Sequence, residues 1–339
     1  MAENNKRVLL NSRPRGWVEL SNFRFDEHPI PSPGPGEVLI RNIFLSVDPY
    51  MRGRMNDAKS YVEPFQLGEP LQAGVVGEVV ESDNPRYSSG DYVLGMLNWE
   101  NYSLTDGQGL TKIDKDLSPL SYYLGILGMP GATAYVGLTH IAECKDGESV
   151  LVSAASGAVG SVVVQIAKNM GCYVVGSAGS DQKCAYLTDQ LGIDAAINYK
   201  TEKSLHGRVR ELFPKGIDVY FENVGGEILE AAIWNLAFNA RIALCGMISD
   251  YNATPESLPP GPRGLAMLVG RSARMQGFIV TNYPELMRDW IQLGARWLSE
   301  EKLKYRESIA EGIENAPSAF IGMLKGENFG KQIVRLDDD

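Results

Sequence analysis

SVLVSAASGAVGSVVVQIAKNMG, residues 149–171, decides how the rest of the chain is read. Val150, Leu151 and Val152 form a short apolar run of the kind buried in a parallel sheet. Ala154-x-x-Gly157-x-x-Gly160 follows, and then Val159, Val162, Val163, Ile166, Ala167 and Met170 fall at helical spacing. Gly171 stands where a helix stop is wanted. Strand, tight glycine turn and amphipathic helix are the context of a dinucleotide-binding loop. Gly157 admits backbone to a pyrophosphate, Gly160 lets helix pack against strand, and the helix N-terminus offers unpaired N–H groups. Ala154 replaces the first glycine of the usual fingerprint, which leaves an unoccupied βα turn as the competing reading.

Downstream, strand and helix signals alternate. Tyr173–Val175 reads as a second strand, and Ser180 caps a helix running to about Leu191 with Gly192 as its stop. Ala195–Ile197 and Ile217–Phe221 are further strands, then a helix over Glu227–Ala237, and strands at Ile242–Cys245 and Gly277–Val280. Such alternation predicts an α/β domain with a doubly wound parallel sheet. Helices at Pro284–Leu298 and near Ile309–Leu324 lead to a last strand, Gln332–Leu336, and a frayed acidic end, Asp337–Asp339.

Upstream, residues 1 to about 125 read as mostly β. Val8–Leu10 and Val38–Ile40 are strands, Gly74–Ser82 is a glycine-bearing strand, and Gly90-Asp91 turns into another. Strand spacing without a sustained helical period suggests a small barrel-like domain. Between Ser46 and Phe65 the composition changes, and Tyr50, Arg52, Arg54 and Tyr61 sit in an irregular stretch of the kind that carries function or merely a solvated loop.

The 339 residues suffice for two domains, and 44% hydrophobic content supports substantial cores. A net charge of −10 argues against a nucleic-acid backbone binder. No apolar run approaches a membrane span, and MAENNKR lacks the apolar core of a signal peptide. Four cysteines, Cys144, Cys172, Cys184 and Cys245, are scattered without CxxC spacing, so a reducing cytoplasm is expected. His28, His140 and His206 are the only histidines and none has ligand spacing, so no metal site is expected. No GxSxG elbow points to a hydrolase.

Cofactor choice in such a sheet is made after the second strand, where an acidic side chain would bond the ribose 2′-hydroxyl and repel a 2′-phosphate. Here stands Gly176-Ser177-Ala178-Gly179-Ser180, with Lys183 in the following helical turn, an arrangement that favours NADP(H). Tyr199 follows the third strand and flanks the phosphate or the adenine. The ends of later strands line the same crevice and present Asn223, a partner for ribose or carboxamide, and Cys245, a small wall residue. The loop Asp250–Gly264 is long, Pro-rich and carries Tyr251.

At this point several ordered stretches match a known family: SVDPYMRGRM (46–55), GVVGEVVES (74–82), MPGATAY (129–135), SAASGAVGSVVVQIAK (153–168), GSAGSDQKCAYL (176–187), FENVGG (221–226), CGMISDYN (245–252), MQGF (275–278) and NFGKQIVR (328–335). The chain resembles the zinc-free alkenal/one reductases of the medium-chain dehydrogenase/reductase superfamily, the group of prostaglandin, plant double-bond and curcumin reductases. Zinc-dependent relatives place a Cys near SVDPYM and a Gly-His-Glu in the next strand, where Asp48-Pro49-Tyr50 and Gly77-Glu78-Val79 stand here. The resemblance implies a Rossmann-type domain over 126–300 and a GroES-like, β-barrel-type catalytic domain over 1–125 and 301–339.

It further implies NADPH-dependent reduction of a carbon–carbon double bond conjugated to a carbonyl, the substrate being a small-molecule enone or enal. Carried over by motif, Lys183 holds the 2′-phosphate with Ser180 and Tyr199 near it, and Gly157, Ala158, Val159 and Gly160 receive the pyrophosphate. Asn223, Cys245, Phe278 and Asn328 line the ribose and nicotinamide, with Met129 and Thr133 close by. Tyr251 matches a loop tyrosine beside the substrate carbonyl, and Tyr50 and Tyr61 match aromatic positions of the opposite wall. Asp250 and the insertion-like SLPPGPRG depart from the family pattern in the substrate loop. Hydride addition to the β-carbon leaves an enolate, so a neutral tyrosine hydroxyl is a suitable donor to the developing oxyanion. The alternatives are a quinone reductase of the same superfamily and an NADPH-binding protein without turnover. By the same resemblance, the segment around Gly277–Val280 pairs across a homodimer.

Overall fold

A computed structural model describes residues 4–336. The expectation for Asp337–Asp339 lies outside the described residues. The chain divides into two compact units, one ending at Gly125 and resuming at Glu307, the other being Ile126–Arg306.

The first unit is built on strands. β1 (Asn4–Leu10) pairs antiparallel with β2 (Phe23–Pro29). β3 (Val38–Ser46), α1 (Met51–Arg54), β4 (Gln72–Ser82), β5 (Tyr92–Asn98), β6 (Tyr102–Thr105) and β7 (Thr111–Lys112) follow. β4 runs through Gly77, where a Cβ would lie 2.6 Å from the Arg41 carbonyl oxygen of β3; the two backbones approach so closely that only glycine fits.

The second unit opens with α2 (Met129–Tyr135) and then repeats strand and helix: β8 (Ser149–Val152), α3 (Gly160–Asn169), β9 (Tyr173–Ala178), α4 (Asp181–Ala185), β10 (Ala195–Asn198), α5 (Leu205–Leu212), β11 (Ile217–Glu222), α6 (Gly226–Trp234), β12 (Leu236–Leu244), α7 (Ala266–Gly270), β13 (Arg274–Gly277) and α8 (Pro284–Ser299). The strands form one six-stranded sheet in the order β10-β9-β8-β11-β12-β13, every pair parallel. This is a doubly wound sheet whose order reverses between β8 and β11, and ligands of such sheets bind at the carboxyl ends of the strands there. Leu151, Val175, Tyr220 and Ile242 of its strands are buried against Ile228, Leu229 and Ile233 of α6.

After Arg306 the chain returns to the first unit as β14 (Glu307–Glu311), α9 (Ala316–Leu324) and β15 (Lys331–Arg335). The mixed sheet there has the order β14-β15-β3-β4-β5-β7, with β6 on β3. Phe23, Trp99 and Phe320 meet in its core, the last two edge-on at 6.2 Å. Among the described residues no helix is long and apolar enough to cross a membrane.

Three local expectations shift. The helix expected over Glu227–Ala237 ends at Trp234, because the Asn235 side chain donates back to the Ala231 carbonyl at 2.7 Å and Leu236 already opens β12. The strand expected at Gly277–Val280 lies at Arg274–Gly277, in register with Arg241–Leu244, and Val280 starts a single 3₁₀ turn. Ile309 belongs to β14, paired with Ile333, so that helix begins only at Ala316, after Gly312 breaks the strand at φ +80°.

Candidate active site

The glycine loop after β8 packs closely against the start of α3. A Cβ at Gly160 would sit 2.4 Å from the Ala154 carbonyl oxygen, so the start of α3 touches the loop backbone. Ala154 adopts φ +47°, the left-handed backbone for which a glycine is the unstrained choice. Ala158, Val159 and Gly160 stand at the N-terminus of α3, where backbone N–H groups point away from the helix.

At the end of β9 a second cradle forms. The Ser180 hydroxyl caps α4 by accepting the Lys183 N–H at 3.3 Å. A Cβ at Gly179 would lie 2.9 Å from the Tyr199 hydroxyl and 3.3 Å from Lys200 Cε, so the glycine keeps open a space bounded by both. Lys183 is half-buried; burial and then the charge of Lys200 hold its ammonium below the usual lysine range. A tyrosine hydroxyl and Lys200 flanking Gly179, with Lys183 within electrostatic reach of Lys200, suit a phosphate. The Asp181 carboxylate, the first acid after β9, accepts the Asn198 amide at 2.6 Å. The structure sets Ser180, Lys183 and Tyr199, named from the sequence, at this strand exit together with Lys200, which was not named and which a Tyr-Lys doublet after the third strand could have signalled.

The exits of β11 and β12 are laced together. Asn223 Nδ2 donates to the Ser153 carbonyl at 2.8 Å. The N–H groups of Ile248 and Ser249 reach the carbonyls of Asn223 and Val224 at 3.2 and 2.9 Å. This brings Tyr251 over the end of β12: a Cβ at Gly246 would stand 3.0 Å from its hydroxyl oxygen. Cys245 is only partly covered, yet its surroundings, with the Glu222 carboxylate next, push its thiol up to about 12, which suits a wall rather than a nucleophile. Phe278 meets Phe221 edge-on at 6.4 Å, and Gly137 is the residue that leaves both rings room. The Met129 carbonyl accepts the Thr133 hydroxyl at 2.7 Å at the start of α2.

Tyr50, Tyr61 and Asn328 belong to the first unit. Burial, then the Asp48 charge, raises the Tyr50 phenol far above its usual range, so it is a donor at all working pH values. Its hydroxyl bonds Arg54, and Tyr61, 64% exposed, lies close enough to act electrostatically on both. Arg54 is itself fixed by the Glu63 carbonyl at 2.9 Å, Gln72 Oε1 at 3.0 Å and the face of Phe65 at 4.1 Å. Lys331, its side chain 1% exposed, donates to Asp48 Oδ1 at 2.9 Å and to the Val47 carbonyl at 2.8 Å. That buried pair ties the segment carrying Asn328 to the turn carrying Tyr50. Among the described residues no group of three or more His, Cys, Asp or Glu side chains is placed to hold a metal ion.

The chain matches the family models described as the N-terminal domain of oxidoreductase, over residues 6–113, and as zinc-binding dehydrogenase, over 158–298. It is 45% identical to the 2-alkenal reductase (NADP(+)-dependent) of Nicotiana tabacum over 99% of each chain. To the NADPH-dependent curcumin reductase of Escherichia coli it is 44% identical, over 99% of this chain and 98% of the relative. It belongs to the zinc-independent alkenal/one reductase group of the medium-chain dehydrogenase/reductase superfamily. Within that group the crystal structure of CurA from Vibrio vulnificus in complex with NADPH superposes with a TM-score of 0.93 at 43% identity, over 98% of this chain and all of that one. The doubly wound sheet and the separate mixed sheet are those of the superfamily.

Proposed function

We propose that this alkenal/one reductase uses NADP(H) to saturate the carbon–carbon double bond of small α,β-unsaturated ketones and aldehydes. The observation that carries the reading is the second cradle: Lys200 and Tyr199 around the space above Gly179, Lys183 within electrostatic reach of Lys200, and Asp181 engaged by Asn198. That set fits a 2′-phosphate, and the N-terminus of α3 at Ala158, Val159 and Gly160 fits a pyrophosphate. The relatives named as NADPH-dependent curcumin reductase and 2-alkenal reductase support both cofactor and substrate class.

NADP(H), when bound, supplies the hydride. What the chain must supply is stabilisation of the negative charge that grows on the substrate's carbonyl oxygen. Tyr251 is the donor in this reading: its hydroxyl stands over Gly246, close to where even a Cβ would lie, and a tyrosine hydroxyl is a neutral donor to a growing oxyanion. Tyr50 and Tyr61 shape the substrate wall, with Arg54 holding Tyr50. Asn223 and Asn328 orient the nicotinamide end, with Cys245, Phe278, Met129 and Thr133 beside it. β13 ends its sheet, and a second copy of this chain is the partner proposed for that edge; a monomeric sedimentation coefficient would remove it.

The test is NADPH oxidation at a fixed cofactor concentration with enals, enones, quinones and saturated aldehydes, the products identified by mass. Saturated ketones and aldehydes from the conjugated substrates, in the presence of a chelator and with little turnover on NADH, are expected. Preference for quinones, or binding without turnover, would overturn the reading.

A further inference from the structure

β11 ends in a carboxylate that the chemistry above does not use. Glu222 is fully buried. Its Oε1 accepts the Ser153 hydroxyl at 2.7 Å, the Gly225 N–H at 3.0 Å and the Val224 N–H, and its Oε2 accepts the Tyr220 hydroxyl at 2.5 Å. Its own carbonyl takes the N–H groups of Cys245 and Gly246 at 2.9 and 3.1 Å. One residue thus gathers the exits of β8, β11 and β12, which flank the point where the sheet order reverses.

Burial raises the carboxyl above its usual range, its four donors oppose that, and among the described residues no cation forms an ion pair with it. A buried charge held only by neutral donors is costly, so its placement calls for a reason beyond packing. Its donors supply one. Val224, Gly225 and Gly226 form a turn whose two glycines have φ of +84° and +57°, a stretch with wide conformational freedom on its own. Oε1 takes two successive N–H groups of that turn and holds it in one shape. The Ser153 hydroxyl, donating to Glu222, accepts the Asn223 N–H at 2.7 Å. Because the Ser153 carbonyl can only accept, the Asn223 amide must turn its NH₂ toward it, which presents Oδ1 as an acceptor for a ribose hydroxyl or a carboxamide.

We infer that Glu222 is a positioning residue for the cofactor: through Ser153 and the Val224–Gly225 N–H groups it fixes Asn223 and the start of the glycine loop in the arrangement that receives the ribose and nicotinamide. This rests on NADP(H) being the ligand of that crevice.

Direct titration of NADPH fluorescence on the full chain tests it without turnover, alongside the thermal midpoint and the separate KM values for NADPH and a simple enone. Glu222→Ala should raise the NADPH Kd about tenfold or more, the loss of one well-placed polar contact set, with the enone KM within about twofold of wild type. Glu222→Gln, which keeps one oxygen for Ser153 and the turn, should recover most of the loss. Tyr220→Phe removes the donor on Oε2 alone and should bind as wild type does. Ser153→Ala cuts the relay while leaving the carboxylate, and should weaken NADPH about fivefold if the relay carries one hydrogen bond; it decides the matter should Glu222→Ala fail to fold. NADPH Kd values within twofold of wild type in Ser153→Ala or Glu222→Ala, or Tyr220→Phe weakening binding as much as Glu222→Ala, would overturn the role. A wild-type chain that binds no NADPH would overturn the functional reading and this role together.

Discussion

Replacing Lys183 by Met keeps the bulk of the side chain and removes its charge. A charge-assisted hydrogen bond to a phosphate is worth about 1.5–3 kcal/mol, or about 10- to 150-fold in binding. The structure narrows this toward the lower half. Lys200 remains beside Gly179, within electrostatic reach of the Lys183 position, and keeps one cation at the site. The expected change is therefore a drop of about 10- to 30-fold in kcat/KM for NADPH. NADH has no 2′-phosphate and so should change by no more than about twofold. The assay is kcat/KM for each cofactor at a saturating enone concentration, with Lys200→Met and the double variant completing a cycle. If both lysines meet one phosphate, the double loss will differ from the sum of the single ones. Equal losses for NADPH and NADH, or an unchanged ratio, would refute the argument, because they would place Lys183 in the framework rather than on the phosphate.

Tyr251→Phe should lower kcat by about 10²- to 10³-fold, the worth of one oxyanion donor, with NADPH Kd unchanged; unaltered turnover would move the donor role to Tyr50 or Tyr61. Lys331→Met leaves the Asp48 carboxylate buried without its cation and should cost about 3–5 kcal/mol of stability, read by denaturant unfolding of the first unit. Ala154→Gly exchanges a left-handed alanine penalty of about 1–2 kcal/mol for a glycine entropy cost of about 0.5–1 kcal/mol, so the thermal midpoint should rise slightly, and a clear fall would show that the methyl group packs usefully. The Sγ atoms of Cys144 and Cys172 lie 3.6 Å apart, so treatment with a diazene oxidant should convert that pair to a disulfide; mass spectrometry should find the 144–172 cross-link, absent in Cys172→Ser.

Local signals carried the second unit. The apolar run of β8, the spaced glycines and the amphipathic α3 are contiguous, and so are Ser180 with its cap and Gly192 with its stop at φ +69°. What the sequence hid depends on partners far along the chain. β14 has a pattern that reads as helix until Ile309 is seen against Ile333. β2 carries Phe23 and Phe25 among charged residues and is a strand because β1 pairs with it over its whole length. The site shows the same division. Lys183 is legible because a helix cap fixes its place, whereas Lys200 and Glu222 are ordinary charged residues until folding sets one beside Lys183 and the other beneath Asn223. Arg54, noticed in the sequence only as part of an unusual stretch, becomes specific once its bonds to Glu63, Gln72 and Tyr50 are in place.

The first unit's sheet contains a pairing with a kinetic consequence. β15 lies against β3 with Ile333 opposite Ser46, although the whole second unit intervenes in the chain. A growing polypeptide therefore leaves the Phe44–Ser46 end of β3, beyond its pairing with β6, without a partner on that side throughout the synthesis of Ile126–Arg306, a contiguous segment that has all its own sheet partners. Domains fold as units during synthesis, and long-range strand pairing is slow. The order of assembly follows: the second unit completes its sheet first, and the Phe44–Ser46 end of β3 waits for β15 to emerge. When it does, Lys331 arrives with β15 to meet Asp48, so that buried ion pair forms only after the whole second unit has been synthesised.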